Sequence, residues 1–151
     1  MKIYIDGDAC PVKKEIVEIS SKYNLAVVII LSICHISNRD GYSEYIIMDH
    51  QNQSVDMEII NRVKAGDVVI TDDYGLASIV LMKGVRCMSS RGMEYTNDNI
   101  EILLYRRHIN QKILKSGGKV TGPSKRTGKE NEQFSKNYEY MLRQSLYNNF
   151  P

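Results

Sequence analysis

Long apolar segments are missing from this 151-residue sequence, and none is long enough to cross a lipid bilayer. The amino terminus lacks the succession of basic, apolar and small residues that marks a secretory signal peptide. We find no internal repeat and no low-complexity tract. These absences lead us to expect a cytoplasmic protein without a membrane partner.

Cysteine is scarce, and its spacing does not suggest pairs. The three cysteines are Cys10, Cys34 and Cys87, with no Cys-x-x-Cys motif. An odd number of widely spaced cysteines favours reduced thiols over a disulfide framework. A zinc site formed by these three with His35 is an alternative that no local ligand spacing supports, and Cys10 and Cys87 suit small buried side chains.

A large excess of one charge is also absent, since 20 Lys and Arg stand against 18 Asp and Glu. The length and the 42% hydrophobic content predict one globular domain over residues 1–151. The basic residues are nevertheless concentrated, because the segment 106–129 contains no acid and includes Arg106, Arg107, Lys112, Lys115, Lys119, Lys125, Arg126 and Lys129. Such a segment attracts phosphate backbones, and the alternative is a solvated helix face followed by a mobile loop.

Short apolar runs alternate with segments of helical periodicity. Strands are predicted at residues 3–5, 25–31, 44–48, 67–70 and 85–88. Helices are predicted at about residues 11–23, 54–64, 75–82, 97–115 and 130–147, with a basic loop at about 116–129. This alternation predicts an α/β fold with a mainly parallel sheet of about five strands, covered on both faces.

The most informative residues follow the first strand. Asp6 and Asp8 stand between the apolar run and Pro11, which suits the first turn of a helix. Both acids are therefore expected at the carboxyl end of a parallel strand, where open α/β sheets bind ligands. If the strand continues through Asp8, the two carboxylates lie on the same side and repel each other unless a cation joins them.

A second acidic group has the same placement. Asp72 and Asp73 follow the fourth strand, and Asp56 begins the helix before it. Oxygen ligands without clustered His or thiolate favour Mg²⁺ or Mn²⁺. For Asp6 and Asp73 we favour ligation, whereas Asp8 and Asp56 are equally suited to stabilising the start of a helix.

Several motifs together resemble the YaiI/YqxD family of bacterial proteins. They are the run Asp-Gly-Asp-Ala-Cys-Pro-Val-Lys at residues 6–13, Thr-Asp-Asp-Tyr-Gly-Leu-Ala at 71–77, Ser-Arg-Gly at 90–92, and Tyr95 with Asn99-Ile100. This family is grouped with PIN-like domains. The resemblance therefore implies a three-layer α/β/α fold and a metal-dependent ribonuclease.

The resemblance also implies roles for individual acids. Asp6 resembles the first-strand aspartate of PIN nucleases, and Asp8 is the additional acid of the family's own motif. Asp73 matches the aspartate of a Thr-x-Asp motif, which leaves Asp72 in the variable place. Asp56 resembles the acid that opens the preceding helix, and the position of a fourth acid stays open between Glu94 and Asp98.

Other polar and aromatic residues have two interpretations each. Arg91 suits a contact with substrate phosphate or a salt bridge to one of the aspartates. The histidines His35, His50 and His108 suit surface or loop positions better than a general base. Exposed tyrosines would stack on bases and buried ones would pack in the core, and the candidates are Tyr42, Tyr45, Tyr74 and Tyr95.

Three functions are consistent with these patterns. The first is a Mg²⁺- or Mn²⁺-dependent nuclease acting on RNA or single-stranded nucleic acid, with Asp6, Asp8 and Asp73 as metal ligands and Asp56 ligating or positioning water. Phosphate would be bound by Arg91 and the basic residues, namely Arg106, Arg107, Lys112, Lys115, Lys125 and Arg126.

The second function is a non-catalytic nucleic-acid-binding or regulatory protein with an acidic metal pocket. The third is a haloacid-dehalogenase-like phosphatase, with Asp6 as nucleophile and Asp8 as its acid partner, although Cys10 stands where that chemistry wants Thr or Val. An apolar helix face near the carboxyl terminus suits a homodimer or packing within the chain.

Overall fold

The computed structural model describes residues 1–35, 38–49 and 54–148. Strands are β1 (Lys2–Asp6), β2 (Ala26–Ser32), β3 (Glu44–Met48), β4 (Val68–Ile70), β5 (Arg86–Met88) and β6 (Glu94–Tyr95). Helices are α1 (Lys13–Lys22), α2 (Val55–Arg62), α3 (Tyr74–Met82), α4 (Asn97–Lys115) and α5 (Gly128–Tyr147), with short 3₁₀ turns at Gly7–Ala9 and Ile33–His35.

These strands form one sheet in the order β3-β2-β1-β4-β5-β6. The first five are parallel, as predicted, and β6 pairs antiparallel with β5. Strand β6 was missed because it has two residues, too few for an alternating pattern. A tight turn leads into it, in which the Ser89 N–H donates to the Met93 carbonyl oxygen at 2.8 Å.

Helices cover both faces of the sheet and give three layers. On one face α1 and α5 bury a core that includes Ile16, Phe134 and Tyr138. On the other face α2, α3 and α4 contribute a core that includes Ile59 and Val80. The predicted three-layer α/β/α fold is confirmed. Because β1 is central, both of its faces are buried, as is usual for parallel sheets.

The carboxyl-terminal helix packs within the chain. Its predicted inner stripe of Phe134, Tyr138, Met141 and Leu142 is buried in the same core as α1. The helix begins at Gly128, slightly earlier than predicted, because Thr127 and Glu130 form a capping box. No helix formed by the described residues is long and apolar enough to span a lipid bilayer.

Candidate functional site

The carboxyl ends of neighbouring parallel strands bring the predicted acids to one edge of the sheet. Strand β1 lies between β2 and β4, so Asp6 ends beside the segment that follows β4. A cleft of about 370 Å³ opens there, lined by Asp6, Thr71, Asp72, Asp73, Ser90 and Arg107 among others. We call it the acidic cleft. Its position is the one that open α/β sheets use for ligands.

A glycine sets the path of the chain into this cleft. A Cβ atom at Gly7 would lie 2.9 Å from Ile29 Cγ2 and 2.9 Å from the Ile30 carbonyl oxygen. Only a residue without a side chain lets the segment after β1 pass so close to β2. The Asp-Gly-Asp spacing therefore reflects this close approach, which holds Asp6 and Asp8 at the end of the sheet.

Asp56 and Asp73 form an acidic pair that shares a hydrogen bond. Burial, a hydrogen bond to the Asp73 carboxyl group and the negative charges of Asp73, Asp6 and Asp8 raise the pKa of Asp56 to about 7. Burial also raises the pKa of Asp6, to which Asp8, Asp73 and Asp72 add by charge repulsion. The acids at this edge of the sheet thus repel one another, which favours the protonated forms of Asp56 and Asp6.

Thr71 connects the acids of the two strands. Its hydroxyl donates to Asp6 Oδ2 at 2.9 Å and accepts from the Asp73 N–H at 3.0 Å. Asp73 in turn caps α3, since its Oδ1 accepts from the Gly75 and Leu76 N–H groups at 2.8 and 3.2 Å. The Thr-x-Asp motif is thereby a structural unit that fixes both carboxylates.

Asp8 points toward the end of β2. Its Oδ1 accepts from the Ser32 N–H at 2.7 Å and from the Ser32 hydroxyl at 2.9 Å, and it lies 3.3 Å from His35 Nδ1. Strand β1 ends at Asp6, so the condition under which Asp6 and Asp8 would share one side is not met. Asp8 does not cap α1 either, because the N-cap position is Val12 and no side chain bonds to it.

Asp56 is not the cap of its helix, although it lies in the first turn of α2. The N-cap is Ser54, whose side chain accepts from the Met57 N–H at 3.1 Å. Asp56 is therefore free to turn its carboxyl group toward Asp73.

Asp72 has a role that the sequence did not indicate. Its Oδ1 accepts from the Ser90 N–H at 2.8 Å, and its Oδ2 accepts from the Ser90 hydroxyl at 2.6 Å. Asp72 thus anchors the turn between β5 and β6 to the end of β4. Nothing in the sequence around Ser90 indicates that its hydroxyl and N–H pair with Asp72.

The basic residues fall into two groups. Arg107 lines the acidic cleft, with its Nη1 3.9 Å from Asp73 Oδ1, and Arg126 Nη2 donates to the Ser90 carbonyl oxygen at 2.6 Å. Exposed side chains are those of Arg106, Lys112, Lys115 and Lys125. Residues 108–115 follow Arg107 and are exposed except for Ile109, so α4 continues about 12 Å past the acids.

Arg91 does not pair with an aspartate of the cleft, contrary to one of its two interpretations. Its Nη2 donates to the Ser124 carbonyl oxygen at 2.8 Å, and its Nη1 lies 3.9 Å from Glu130 Oε1. These contacts tie the segment between α4 and α5 to the turn after β5. They place the basic loop at the rim of the site.

The chain also matches known proteins along most of its length. A family model described as "Uncharacterized BCR, YaiI/YqxD family" matches residues 4–144. The chain belongs to the YaiI/YqxD family. The motifs that carried the resemblance in the sequence lie at the carboxyl edge of the sheet or beside it.

Members of the YaiI/YqxD family from several bacteria align with nearly the whole chain. A UPF0178 protein of Alkaliphilus metalliredigens is 44% identical over 98% of this chain and 96% of its own length. A UPF0178 protein of Clostridium tetani is 42% identical over 94% of this chain and 97% of its own length. Among solved structures, a mutant of Rae1 (YacP) from Bacillus subtilis is similar with a TM-score of 0.47 and 17% identity, covering 97% of this chain and 98% of that one.

The acidic cleft of this YaiI/YqxD member offers oxygen donors for a hard cation. No three His, Cys, Asp or Glu side chains of the described ranges converge as a complete metal cage. In particular, Asp8 is turned to Ser32 while Asp73 contacts Asp56. Mg²⁺ usually takes only one or two protein carboxylates and completes its shell with water and substrate phosphate. The Asp56–Asp73 pair with Asp6 beside it fits that requirement.

The remaining acids and the cysteines have different surroundings, and Cys10 lines the acidic cleft itself. Glu94 forms a two-point ion pair with Arg86, at 2.7 and 2.9 Å, and Asp98 is exposed in the first turn of α4, so neither supplies a fourth acid. Cys87 is buried in the core while Cys34 is exposed, which excludes the four-residue zinc site. Cys10 is only partly buried.

The histidines and tyrosines named in the sequence analysis lie in different environments. His35 and His108 are exposed, as expected, although His35 contacts Asp8, and His50 lies outside the described residues. Tyr45 packs against the core and its hydroxyl donates to Asp40. The Tyr42 hydroxyl donates to the Leu25 carbonyl oxygen. Tyr74 and Tyr95 line a second cleft that adjoins the acidic cleft.

Proposed function

We propose that this protein is a Mg²⁺- or Mn²⁺-dependent nuclease that hydrolyses phosphodiester bonds of RNA or single-stranded nucleic acid. The observation that carries the proposal is the contact between Asp56 and Asp73, with Asp6 beside them, which raises the pKa of Asp56 to about 7. Acids crowded in this way are stabilised by a divalent cation, and such pairs are typical of metal sites.

The acids would divide the work according to their contacts. Asp6 and Asp73 line the acidic cleft and Asp56 lies against Asp73, and these acids would hold the cation, which when bound lowers the pKa of water and stabilises the leaving oxygen. Thr71 keeps Asp6 and Asp73 in place. Asp8 accepts hydrogen bonds through Oδ1, which leaves its other oxygen to ligate the cation or orient water.

Positive charge at the rim would hold the polymer. Arg107 stands at the cleft, and the exposed Lys112 and Lys115 continue along the same helix. Arg126 lies at the turn that carries Ser90 and Arg91. A strand lying across the acids would therefore meet cations both from α4 and at the turn that carries Ser90, which suits a phosphodiester backbone.

A non-catalytic binding protein is the second candidate, and one observation favours it. The described residues contain no group of three side chains set to hold a metal ion. The phosphatase hypothesis gains no support from the contacts of Asp8, because its Oδ1 already accepts two hydrogen bonds from Ser32.

Cleavage of labelled single-stranded RNA and DNA tests the proposal, with Mn²⁺, Mg²⁺ or chelator present. We expect metal-dependent cleavage that falls at least about a hundredfold in Asp6→Asn and Asp73→Asn. Asp98→Asn is the matched control, because that acid is exposed and does not line the acidic cleft. Tight binding without cleavage by the folded wild type would instead support the non-catalytic protein.

A further inference from the structure

A second cleft, of about 480 Å³, adjoins the acidic cleft. The two share Ala9, Asp72 and Ser90 in their walls. Its volume lies within the range of small-molecule sites. A polymer held over the acids would therefore have its next unit beside this second cleft.

Tyr95 contributes an unused hydrogen-bond donor to the second cleft. Its side chain is 2% exposed, and its hydroxyl has no hydrogen-bond partner in residues 1–35, 38–49 and 54–148. By contrast, the hydroxyl of the buried Tyr138 lies 2.7 Å from Ser20 Oγ. The Tyr95 hydroxyl is not sealed off, because in the described chain only Ser43 has an unpartnered side-chain oxygen that is fully enclosed. Because this hydroxyl opens to the cleft and no protein group accepts from it, an acceptor on a ligand could take its hydrogen bond.

Arg126 contributes a positive charge to the same cleft. Its guanidinium is held by Ser90 and by Asn131, whose Oδ1 accepts from Nε at 2.8 Å. No carboxylate of the described segments lies within 4.0 Å of it, although the residue is half buried. A fixed guanidinium without an acidic partner is suited to a phosphate group.

Apolar side chains complete the walls. The half-buried Tyr74 meets Tyr95 edge to face, with ring centroids 5.9 Å apart, and Met93 and Pro123 also line the cleft. Aromatic and apolar surfaces of this kind stack on nucleobases with little sequence preference.

From these contacts we infer that the second cleft binds one nucleotide of a single-stranded nucleic acid, next to the phosphodiester that lies over the acids. Arg126 would bind the phosphate of this nucleotide, and its base would pack against the Tyr74 side chain. The Tyr95 hydroxyl would donate a hydrogen bond to an acceptor of the nucleotide. The nature of the polymer rests on the proposed function, whereas the binding itself requires neither metal nor cleavage.

Fluorescence anisotropy of a short labelled oligoribonucleotide, measured with chelator present, tests this inference. We expect Tyr95→Phe and Arg126→Lys each to weaken binding by about five- to tenfold. This corresponds to the loss of one hydrogen bond in the first variant and of the two-point guanidinium contact with phosphate in the second. Tyr140→Phe is the matched control, because Tyr140 is an exposed tyrosine of α5. The melting temperature of Tyr95→Phe should not fall, since no protein group loses a partner.

Competition identifies what the cleft recognises. A nucleoside monophosphate should displace the oligonucleotide at lower concentration than inorganic phosphate, and the equivalent oligodeoxyribonucleotide shows whether the ribose hydroxyl contributes. Equal competition by phosphate would overturn the inference, as would wild-type affinity in both Tyr95→Phe and Arg126→Lys.

The same variants separate this inference from the proposed hydrolysis. Asp73→Asn should bind the oligonucleotide at least as tightly as the wild type in chelator. If the wild type cleaves nothing while Tyr95→Phe weakens binding, hydrolysis fails and the nucleotide cleft stands. If cleavage occurs and neither Tyr95→Phe nor Arg126→Lys changes binding or KM, the nucleotide cleft fails and hydrolysis stands.

Discussion

Thr71 is the residue through which the acids of two strands act as one unit. It is almost completely buried, and its hydroxyl both donates to Asp6 and accepts from the Asp73 N–H. The hydrogen bond it donates lowers the pKa of Asp6 against the effect of burial. A neighbour without a charge of its own thus opposes part of the upward shift in the pKa of Asp6.

Replacing Thr71 by Val tests this role, because the side chain keeps its shape and loses its hydroxyl. The variant leaves Asp6 Oδ2 and the Asp73 N–H without their partner, so the free energy of unfolding should fall by about 1–3 kcal/mol. Urea denaturation at neutral pH measures the change, and Thr71→Ser, which keeps the hydroxyl, should lose less. Equal stability of Thr71→Val and the wild type would show that these hydrogen bonds contribute nothing.

Asp56 makes stability depend on pH in a direction unusual for a carboxyl group. Its folded pKa is raised to about 7, so between about pH 4 and pH 7 the folded state holds a proton that the unfolded state has lost. Stability from this group therefore falls as the pH rises through that window. Asp56→Asn, measured in chelator, should have a melting temperature that exceeds that of the wild type by more at about pH 8 than at about pH 5. Parallel pH profiles for the two proteins would contradict the pairing of Asp56 with Asp73.

Among the secondary-structure elements, helix α4 connects the core to the rim of the site. Its first turns are fixed by a capping box of Thr96 and Asn99 and by the buried Ile100. Arg107 then reaches the acidic cleft, and residues 108–115 carry their basic side chains beyond it. A helix that packs at one end and projects at the other suits electrostatic contact with a polymer.

The projecting part of α4 should contribute to the salt dependence of nucleic-acid binding. Changing both Lys112 and Lys115 to Gln should weaken binding and lower the slope of log K against log salt by about 1.4, roughly 0.7 for each phosphate contact on a single strand. Titrations at several salt concentrations measure the slope. Lys14→Gln with Lys22→Gln on α1 is the control pair, and the same slope in both double variants would rule out this role for α4.

For the whole molecule, hydrophobic patterning was sufficient to predict the layers. The runs that became β1, β2 and β4 are short and almost wholly apolar because the sheet is buried on both faces. Strand β6 could not be predicted from hydrophobic patterning. It has only two residues, and its position depends on the turn at Ser89. The rule that parallel strands end at one edge also predicted that Asp6 and Asp73 would meet.

The detail of the site required the tertiary structure. Neither the contact of Asp56 with Asp73 nor the anchoring of Ser90 by Asp72 has a local sequence signal, because each joins elements distant in the chain. The unpartnered hydroxyl of Tyr95 is likewise a property of packing. Sequence spacing identified the acids, and packing determines which of them lie together.

Isothermal titration of Mn²⁺ into the metal-free protein tests most directly the claim that these acids form a cation site. We expect binding at neutral pH that weakens at least about tenfold in Asp73→Asn and in Asp6→Asn, as for loss of an ionised ligand, and that is unchanged in Asp98→Asn. Mn²⁺ affinity that is the same in all four proteins would contradict it.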